Sequence, residues 1–422
     1  MIRILIATDA FPPNCGGSGW STYELARGLR TRGHELVVVQ PRPGQVSNSI
    51  REYDAFRISE MASAVPSVPF LRNMFKNERL WPRLAAHIQA TAREMGADLI
   101  HAQHVLTVPA AVEAGQALGI PVICTVRDYW PLCYWSTLIH DPASATLCPA
   151  CSPAMMMRCV RPRAGAAWPA ALPLIPYMRA NLHRKQLSLA RANAIVAVSS
   201  TMARDLADRS ALLRHARIEV VPNAVDVSGL RAAAARTTAP IDGPYAVYVG
   251  KLEVNKGAAF LLPAVDRAHL PWPLVVVGDG ALRRQMEAGA RRLGRDVRFT
   301  GWLARDEALG WLAHASLLVF PSYGPESLSR VLLEACALGV PVAAMATGGT
   351  PDIVERDVTG LLSTTPDGLA DDVARLVNDR PLAERLAAQA RERVEQLFDA
   401  SSVAARTEAI YADVLTSRGR HA

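Results

Sequence analysis

The sequence predicts an α/β protein built from two doubly wound domains, and three observations carry that reading. Its 422 residues exceed the size at which one hydrophobic core keeps growing. Short apolar runs alternate with helical stretches through both halves of the chain. Glycine-rich turns follow several of those runs, at the carboxyl edge where such sheets bind ligands.

In the first half, Ile2 to Ala7 is an apolar run followed by a Pro/Gly-rich loop, Phe11 to Gly19. An amphipathic helix is expected next, from about Trp20 to Arg32, stopping at Gly33. Further strand candidates are Leu36 to Val39, Asp98 to His101, Pro121 to Val126 and Ala194 to Ser199. The alternation is Rossmann-like. Arg231 to Pro244, rich in Ala, Arg, Thr and Pro, reads as an interdomain linker. A second series then begins, with strands expected at Tyr245 to Val249, Leu274 to Val277, Val297 to Phe299, Leu317 to Phe320 and Val340 to Ala344.

Composition narrows the function classes. Half of the residues are hydrophobic and a fifth are charged, with no repeat or low-complexity tract, as in ordinary globular proteins. The net charge of +7 suits an anionic partner. The basic residues are spread along the chain without aromatic-rich basic motifs, which argues against a nucleic-acid partner. The apolar start before Asp9 is short for a signal peptide and lacks a small-residue cleavage pattern, so it reads as a strand. The longest uncharged stretch, Ala164 to Met178, contains Pro169, Pro173 and Pro176 and does not suit a membrane-spanning helix. The expectation is a cytoplasmic protein, whose seven cysteines favour thiols or metal ligation over disulfides.

The richest segment runs from Pro321 to Ala335. Leu328, Val331, Leu332, Ala335 and Leu338 fall on one helical stripe, which predicts a helix beginning near Ser327. The amides of Ser327, Leu328 and Ser329 are then available to a diphosphate. Glu326 precedes the first turn and Glu334 lies eight residues on, about 12 Å away along a fully helical span. A nucleoside diphosphate sugar is comparably long, and carboxylates suit hydroxyl donors, so Glu326 is assigned to the sugar and Glu334 to the ribose. Taken alone, two such glutamates read first as a helix cap and a surface ion pair, and the features that follow favour the ligand reading. In the turn from Val249 to Gly257, Lys251 and Lys256 can neutralise charge that grows on a leaving diphosphate. Gly16 and Gly17 permit close backbone approach to the same phosphates.

Together these segments resemble the retaining glycosyltransferases of glycosyltransferase family 4, which have the GT-B fold. The resemblance runs over nearly the whole chain. It includes Gly16-Gly17, Arg32-Gly33-His34-Glu35, Val221-Pro222-Asn223-Ala224-Val225-Asp226, Gly250-Lys251 with Lys256-Gly257, Gly278-Asp279-Gly280, Phe299-Thr300-Gly301 and the Glu326 to Glu334 spacing. It implies two Rossmann-like domains facing across a cleft, with the donor between them. Residues 1–230 would form the acceptor-side domain, with a cysteine-rich insertion at about 131–182, and 231–400 the nucleotide-sugar domain. A helix within 401–422 would pack back on the first domain. The resemblance also implies retention at the anomeric carbon, a base contacted near Phe299 to Leu303, including Gly301, and no metal needed for donor binding. Two residues depart from the pattern. Lys251 replaces a more usual arginine, and Arg127 stands where many relatives carry a histidine near the donor sugar. Arginine can meet a donor phosphate or an anionic acceptor but does not serve as a base near neutral pH; an ordinary ion pair with Asp128 is the other reading.

Cys133, Cys148, Cys151 and Cys159 lie within 27 residues and include one CxxC pair. They can close a structural zinc site, remain thiols, or take part in redox chemistry. Met155 to Met157 and Trp168 to Met178, flanked by Arg158, Arg161, Arg163 and Arg179, suit an anionic membrane surface or a packed lid. The function expected is transfer of a sugar from a nucleotide-diphosphate sugar to a glycan, lipid-linked or small-molecule acceptor, in surface polysaccharide or glycoconjugate synthesis. A non-catalytic nucleotide-sugar scaffold and a sugar-nucleotide epimerase are the alternatives. Peripheral attachment to the inner face of the cytoplasmic membrane fits the arginine-flanked segment.

Overall fold

The computed structural model describes residues 1–64, 75–104, 106–141 and 146–419. The chain divides into two compact units. The first comprises Met1–Ser136, Ala150–Ala224 and the segment from Ala400; the second comprises Thr137–Pro149 and Val225–Asp399.

The first unit is organised by a sheet of β1 (Arg3–Ala7), β2 (Glu35–Pro43), β3 (Ser49–Tyr53), β4 (Phe56–Ser63), β5 (Leu99–Ala102), β6 (Val122–Val126), β9 (Ala194–Ala197) and β10 (Ile218–Val220). Their spatial order is β10-β9-β6-β5-β1-β2-β4-β3. All pairs are parallel except β3 with β4. The register sets Ile4 opposite both Leu36 and Leu99. Burial on both faces explains why β1, β5, β6 and β9 read as continuous apolar runs. The antiparallel hairpin was not legible in that way. Arg51, Glu52, Arg57 and Glu60 interrupt its apolar pattern, yet Glu60 is buried and bound by Arg51 and Ser49. Two short strands that belong to the second unit, β7 (Ile139–Asp141) and β8 (Thr146–Leu147), pair antiparallel.

The first helix starts at Gly17, three residues before the expected Trp20, and runs to Thr31. The glycine loop itself therefore supplies the first turn. The C-terminal helix, Ala400–Gly419, lies on this first helix. Contact is close at Gly28, where a Cβ would stand 2.8 Å from both the Ala400 carbonyl oxygen and the Ala404 Cβ. Glu408 accepts from Arg32 Nε at 2.6 Å and lies 3.1 Å from His34 Nε2. Tyr411, fully buried, reaches into the sheet and shares a 2.5 Å hydrogen bond with His101 Nδ1, whose Nε2 meets Thr125 Oγ1 at 2.7 Å.

The second unit has six parallel strands: β11 (Ala246–Val249), β12 (Leu274–Val277), β13 (Val297–Gly301), β14 (Leu317–Phe320), β15 (Val342–Met345) and β16 (Leu361–Ser363). Their order, β13-β12-β11-β14-β15-β16, is a doubly wound sheet with its switch point between β11 and β14. The expected linker is partly helical. Val227–Ala234 forms a helix capped by Asp226, whose carboxylate accepts from the Gly229 amide at 2.9 Å. Arg231 then fastens that helix to the Ala337 carbonyl and to Glu395. Among the described residues no helix is long and apolar enough to cross a membrane.

Burial, aided by the charge of Arg127, holds His101 neutral and pulls its pKa down to about 3. An unfolded histidine takes a proton near 6.5, so this site costs stability as the pH falls below that value. Tyr411→Phe removes the hydroxyl from His101 Nδ1 and leaves it only Gln103 Nε2, at 2.9 Å, and is expected to lower stability by about 0.5–1.5 kcal/mol. Chemical denaturation at pH 7.5 measures this; an unchanged midpoint would show that the bond contributes nothing.

Candidate active site

Each strand of the second sheet hands its loop to the same carboxyl edge. After β11 comes Gly250-Lys251, after β12 Gly278, after β13 Trp302, after β14 the loop 321–329, and after β15 Ala346 to Gly349. Backbone packing there is tight. Gly257 has φ +66°, and a Cβ on it would lie 1.7 Å from the Pro321 carbonyl oxygen. Gly278 has φ +139°, and its missing Cβ would fall 1.9 Å from the Gly250 oxygen. Asn255 adds a further tie, its carbonyl accepting from the amides of Tyr323 and Gly324 at 3.2 and 2.7 Å.

This interlock brings Lys256 onto Glu326. Lys256 Nζ is 2.7 Å from Glu326 Oε2, and Ser322 Oγ donates to the same oxygen at 3.0 Å. The glutamate side chain is 11% exposed and the lysine 34%, so the carboxylate is withdrawn from water while the ammonium keeps part of its hydration. Lys251 is exposed on the same turn. The amide of Gly349 donates to the Glu326 carbonyl at 2.7 Å, fixing the backbone as well as the side chain.

The helix after this loop begins at Arg330 and ends at Leu338, three residues later than the Ser327 start that the apolar stripe suggested. Ser329 is its N-cap, accepting from the Leu332 amide at 3.4 Å. Ser327 and Leu328 are in the irregular loop, with Leu328 and Ser329 buried. The Ser329 hydroxyl caps the helix from outside it, which is the physical reason for the delayed start. The 12 Å separation inferred for a continuous helix therefore does not apply. Glu334 sits two turns into the loop-helix segment, where Arg330 Nε at 2.9 Å and Arg305 Nη2 at 3.2 Å both meet its Oε1. Gly301 closes β13 with φ +77°, and its carbonyl accepts from Gly278.

In the first unit, Gly16 is the N-cap of the first helix and Gly17 its first residue; no acidic side chain lies in that first turn. A Cβ on Gly16 would meet nothing within 4 Å, so its surroundings are open. Arg127 follows β6 and is 8% exposed. Its Nε donates to Asn223 Oδ1 at 2.9 Å and its Nη1 to the Gln103 carbonyl. The guanidinium thus ties the loops after β5 and β10, rather than pairing with Asp128. Burial lowers its pKa to about 10, which leaves it charged at neutral pH.

Sequence reasoning passed over the partner that Asp128 does have. His104 stands between Asp9 and Asp128, with Nδ1 3.4 Å from one carboxylate and Nε2 3.3 Å from the other. Burial opposes its charge, but the two carboxylates prevail and raise its pKa to about 9. The signal was its place just past the end of β5. Lys185 was also missed. It is fully buried, with Nζ 3.5 Å from the centre of the Trp130 ring, and burial lowers its pKa to about 7.

The zinc expectation is not supported. Among the described residues no group of three or more His, Cys, Asp or Glu is placed to hold a metal. Cys133, Cys148 and Cys159 are buried, and Cys151 packs against a cluster of Met156, Val160, Ile175, Met178 and Leu182. None of the seven forms a disulfide.

The interlock makes a stability prediction. Gly294 has a similar φ of +63° but open space where a Cβ would be. Gly294→Ala is expected to cost about 1–2 kcal/mol, the usual left-handed penalty. Gly257→Ala forces the backbone away from Pro321 and should cost clearly more; equal melting temperatures for the two variants would show that the contact is slack.

Comparison with known proteins places these features in a family. The Glycosyltransferase Family 4 profile matches residues 15–228, and the Glycosyl transferases group 1 profile matches residues 243–379. A glycogen synthase of Mycobacterium tuberculosis is 26% identical over 432 aligned positions, covering 97% of this chain and 94% of the relative. A D-inositol 3-phosphate glycosyltransferase of Xylanimonas cellulosilytica is 34% identical over 48% of this chain and 52% of its own. Among solved structures, the sucrose-phosphate synthase of Thermosynechococcus elongatus superposes with a TM-score of 0.72 at 20% identity, over 99% of this chain and 100% of that one. Anabaena HepE in complex with UDP-glucose gives 0.64 at 18% identity, over 98% and 100%. The half-chain family match, the GT-B architecture of these neighbours and the two doubly wound sheets lead to one conclusion: the chain belongs to glycosyltransferase family 4 and is a glycosyltransferase of the GT-B type.

Proposed function

We propose that this enzyme transfers a sugar from a nucleoside-diphosphate sugar to a hydroxyl of an acceptor, with retention at the anomeric carbon. The observation that carries the reading is the Lys256–Glu326 pair, which joins the glycine turn after β11 to the loop after β14. A lysine held beside a carboxylate at a sheet edge keeps one cation fixed for phosphate oxygens and one acceptor fixed for sugar hydroxyls. Lys251 supplies a second cation. Gly16 and Gly17 offer backbone amides at a helix start, and Ser327, Leu328 and Ser329 do so on the loop leading to Arg330. Glu334, oriented by Arg305 and Arg330, is assigned to the ribose hydroxyls and Gly301 to the base edge.

In the transfer step the bond from the anomeric carbon to the diphosphate oxygen breaks as the acceptor oxygen bonds to the same face of that carbon. The departing phosphate oxygen takes the acceptor proton, so no side-chain base is needed. Lysine charge offsets the negative charge that builds on the leaving group. Arg127 acts on this scheme by holding the acceptor-side loops. The relatives' names support a nucleotide-sugar donor: HepE was solved with UDP-glucose.

Peripheral contact with an anionic membrane surface belongs to the same reading, and favours a lipid-linked acceptor in surface glycan synthesis on the cytoplasmic side. Residues 142–204 contain no Asp or Glu and eight Lys or Arg. Arg158, Arg161, Arg179 and Arg184 are exposed around the uncharged segment Ala164 to Met178. Apolar residues there can enter a headgroup layer while the arginines meet lipid phosphates. Co-sedimentation with phosphatidylglycerol vesicles should exceed that with phosphatidylcholine alone and fall when the four arginines are replaced by serine. Equal binding to both vesicle types removes the membrane reading.

Donor identity is tested by incubating the protein with UDP-, GDP- and ADP-sugars and following anomeric signals by NMR. One donor is expected to bind saturably and to yield product or hydrolysed sugar of the same anomer. An inverted product overturns retention, an isomerised nucleotide sugar points to an epimerase, and binding without turnover points to a scaffold. Glu326→Gln is expected to reduce transfer by about 10²–10³-fold while the fold persists; near-normal transfer would remove Glu326 from the chemistry.

A further inference from the structure

The C-terminal helix is tied to the first unit at two depths. Near the surface Glu408, 30% exposed, pairs with Arg32 and His34 just ahead of β2. Tyr411, three residues on, is fully buried, and its hydroxyl lies 2.5 Å from Nδ1 of His101 in β5. A phenyl ring would fill the same space. The added hydroxyl makes a polar bond inside the core, and a buried polar chain holds its members in one arrangement where apolar packing tolerates several.

That chain runs on to Arg127. His101 and Gln103 are two residues apart, as are Thr125 and Arg127 on the neighbouring strand, so all four turn toward the side of the sheet from which Tyr411 enters. His101 Nε2 meets Thr125 Oγ1 at 2.7 Å, and the Gln103 amide nitrogen lies 2.9 Å from Nδ1 and 2.8 Å from Nε2 of the same ring. The Gln103 backbone is held on one side by Ala7, whose carbonyl accepts from its amide at 2.8 Å. On the other, its own carbonyl accepts from Arg127 Nη1, while Arg127 Nε donates to Asn223 Oδ1. Burial keeps the rings of His101 and Tyr411 neutral, and both stand near enough to Arg127 to feel its charge. A neutral imidazole donates from one nitrogen and accepts at the other, and a hydroxyl suits either. Phenylalanine suits neither. Without the hydroxyl, Nδ1 is left to the amide of Gln103, the residue whose carbonyl supports Arg127.

We propose that Tyr411 is a positioning residue for the transfer reaction: its bond to His101 sets Gln103 and, through the Gln103 carbonyl, the guanidinium of Arg127. The C-terminal helix then governs the acceptor-side loops as well as completing the core. The proposal rests on the reading in which Arg127 holds those loops. It gives the Tyr411 hydroxyl a task that Glu408, on the same helix, does not share. Loss of the hydroxyl loosens the acceptor-side loops and leaves the lysines and glutamates of the second unit in place, so the acceptor KM rises while kcat and donor Kd persist.

Arginine-labelled full-length protein tests the link by NMR without turnover, through the Nε–H resonance of Arg127, assigned with Arg127→Lys. Tyr411→Phe is expected to shift that resonance and to speed its exchange with water about tenfold. Glu408→Gln, which loosens the same helix near the surface, is expected to leave it as in the unaltered protein. An unmoved resonance in Tyr411→Phe overturns the proposal, as does an equal change in both variants, which would trace the effect to helix docking in general. With the donor found by the anomeric screen, Tyr411→Phe should raise the acceptor KM about tenfold at unchanged kcat and donor Kd, and should add nothing further to Arg127→Lys. Full additivity of the two substitutions, or a fall in kcat with KM unchanged, also overturns it. If no donor is turned over, the transferase reading fails, and the Arg127 resonance still decides whether Tyr411 sets the guanidinium.

Discussion

Much of the second unit depends on how closely two backbone segments can approach at the carboxyl edge of its sheet. Gly257 lies against the Pro321 carbonyl at a distance that admits no side chain, and Asn255 bonds the amides two and three residues further on. That contact holds the glycine turn against the loop after β14, and with it Lys256 against Glu326. A side chain at Gly257 would separate the two charged groups without touching either. The ionic interaction is therefore a product of backbone packing, which buries the Glu326 carboxylate and sets the Lys256 ammonium against it.

The first unit solves a different problem, that of charges near a buried sheet edge. His101 and His104 are three residues apart and are driven in opposite directions. His101 faces Tyr411 and Thr125 in the core and stays neutral, whereas His104 faces two carboxylates and stays charged. Arg127 disfavours the charged form of both. Asp9 supports the charge of Arg127 against burial, and through the Gln103 carbonyl and Asn223 one guanidinium secures two loops. Among the described residues Lys185 has no hydrogen-bond acceptor, and its ammonium lies over the faces of Trp130 and Tyr134. Such an ammonium is stabilised by the ring quadrupole at a cost in desolvation that its lowered pKa records.

Most strands were legible because burial on both faces leaves an apolar run that needs no partner to be recognised, as in Leu274–Val277 and Leu317–Phe320. The β3–β4 hairpin was hidden because its pattern is broken by charges whose compensation is non-local: Glu60 is acceptable inside only when Arg51 and Ser49 are folded against it. Helix starts were misjudged in both units for a shared reason. Apolar periodicity marks the buried face but not the first turn, which glycine amides supply at Gly17 and a serine cap delays to Arg330. Spacing along the chain left zinc, thiol and redox readings of the cysteine cluster open; zinc is not supported among the described residues, where Cys133, Cys148 and Cys159 are buried.

The sequence by itself determined the class of fold, the two series of strands and the loops that carry lysines, glycines and glutamates, because strand burial and glycine turns are local properties. Only the tertiary structure decided which charges meet. The pairing of Lys256 with Glu326 spans 70 residues, that of Arg127 with Asn223 spans 96, and that of His101 with Tyr411 spans 310. No local pattern encodes such contacts. The first two arise because parallel strands from distant parts of the chain deliver their loops to one edge, and the third because the C-terminal helix returns to the first sheet, where burial holds His101 neutral.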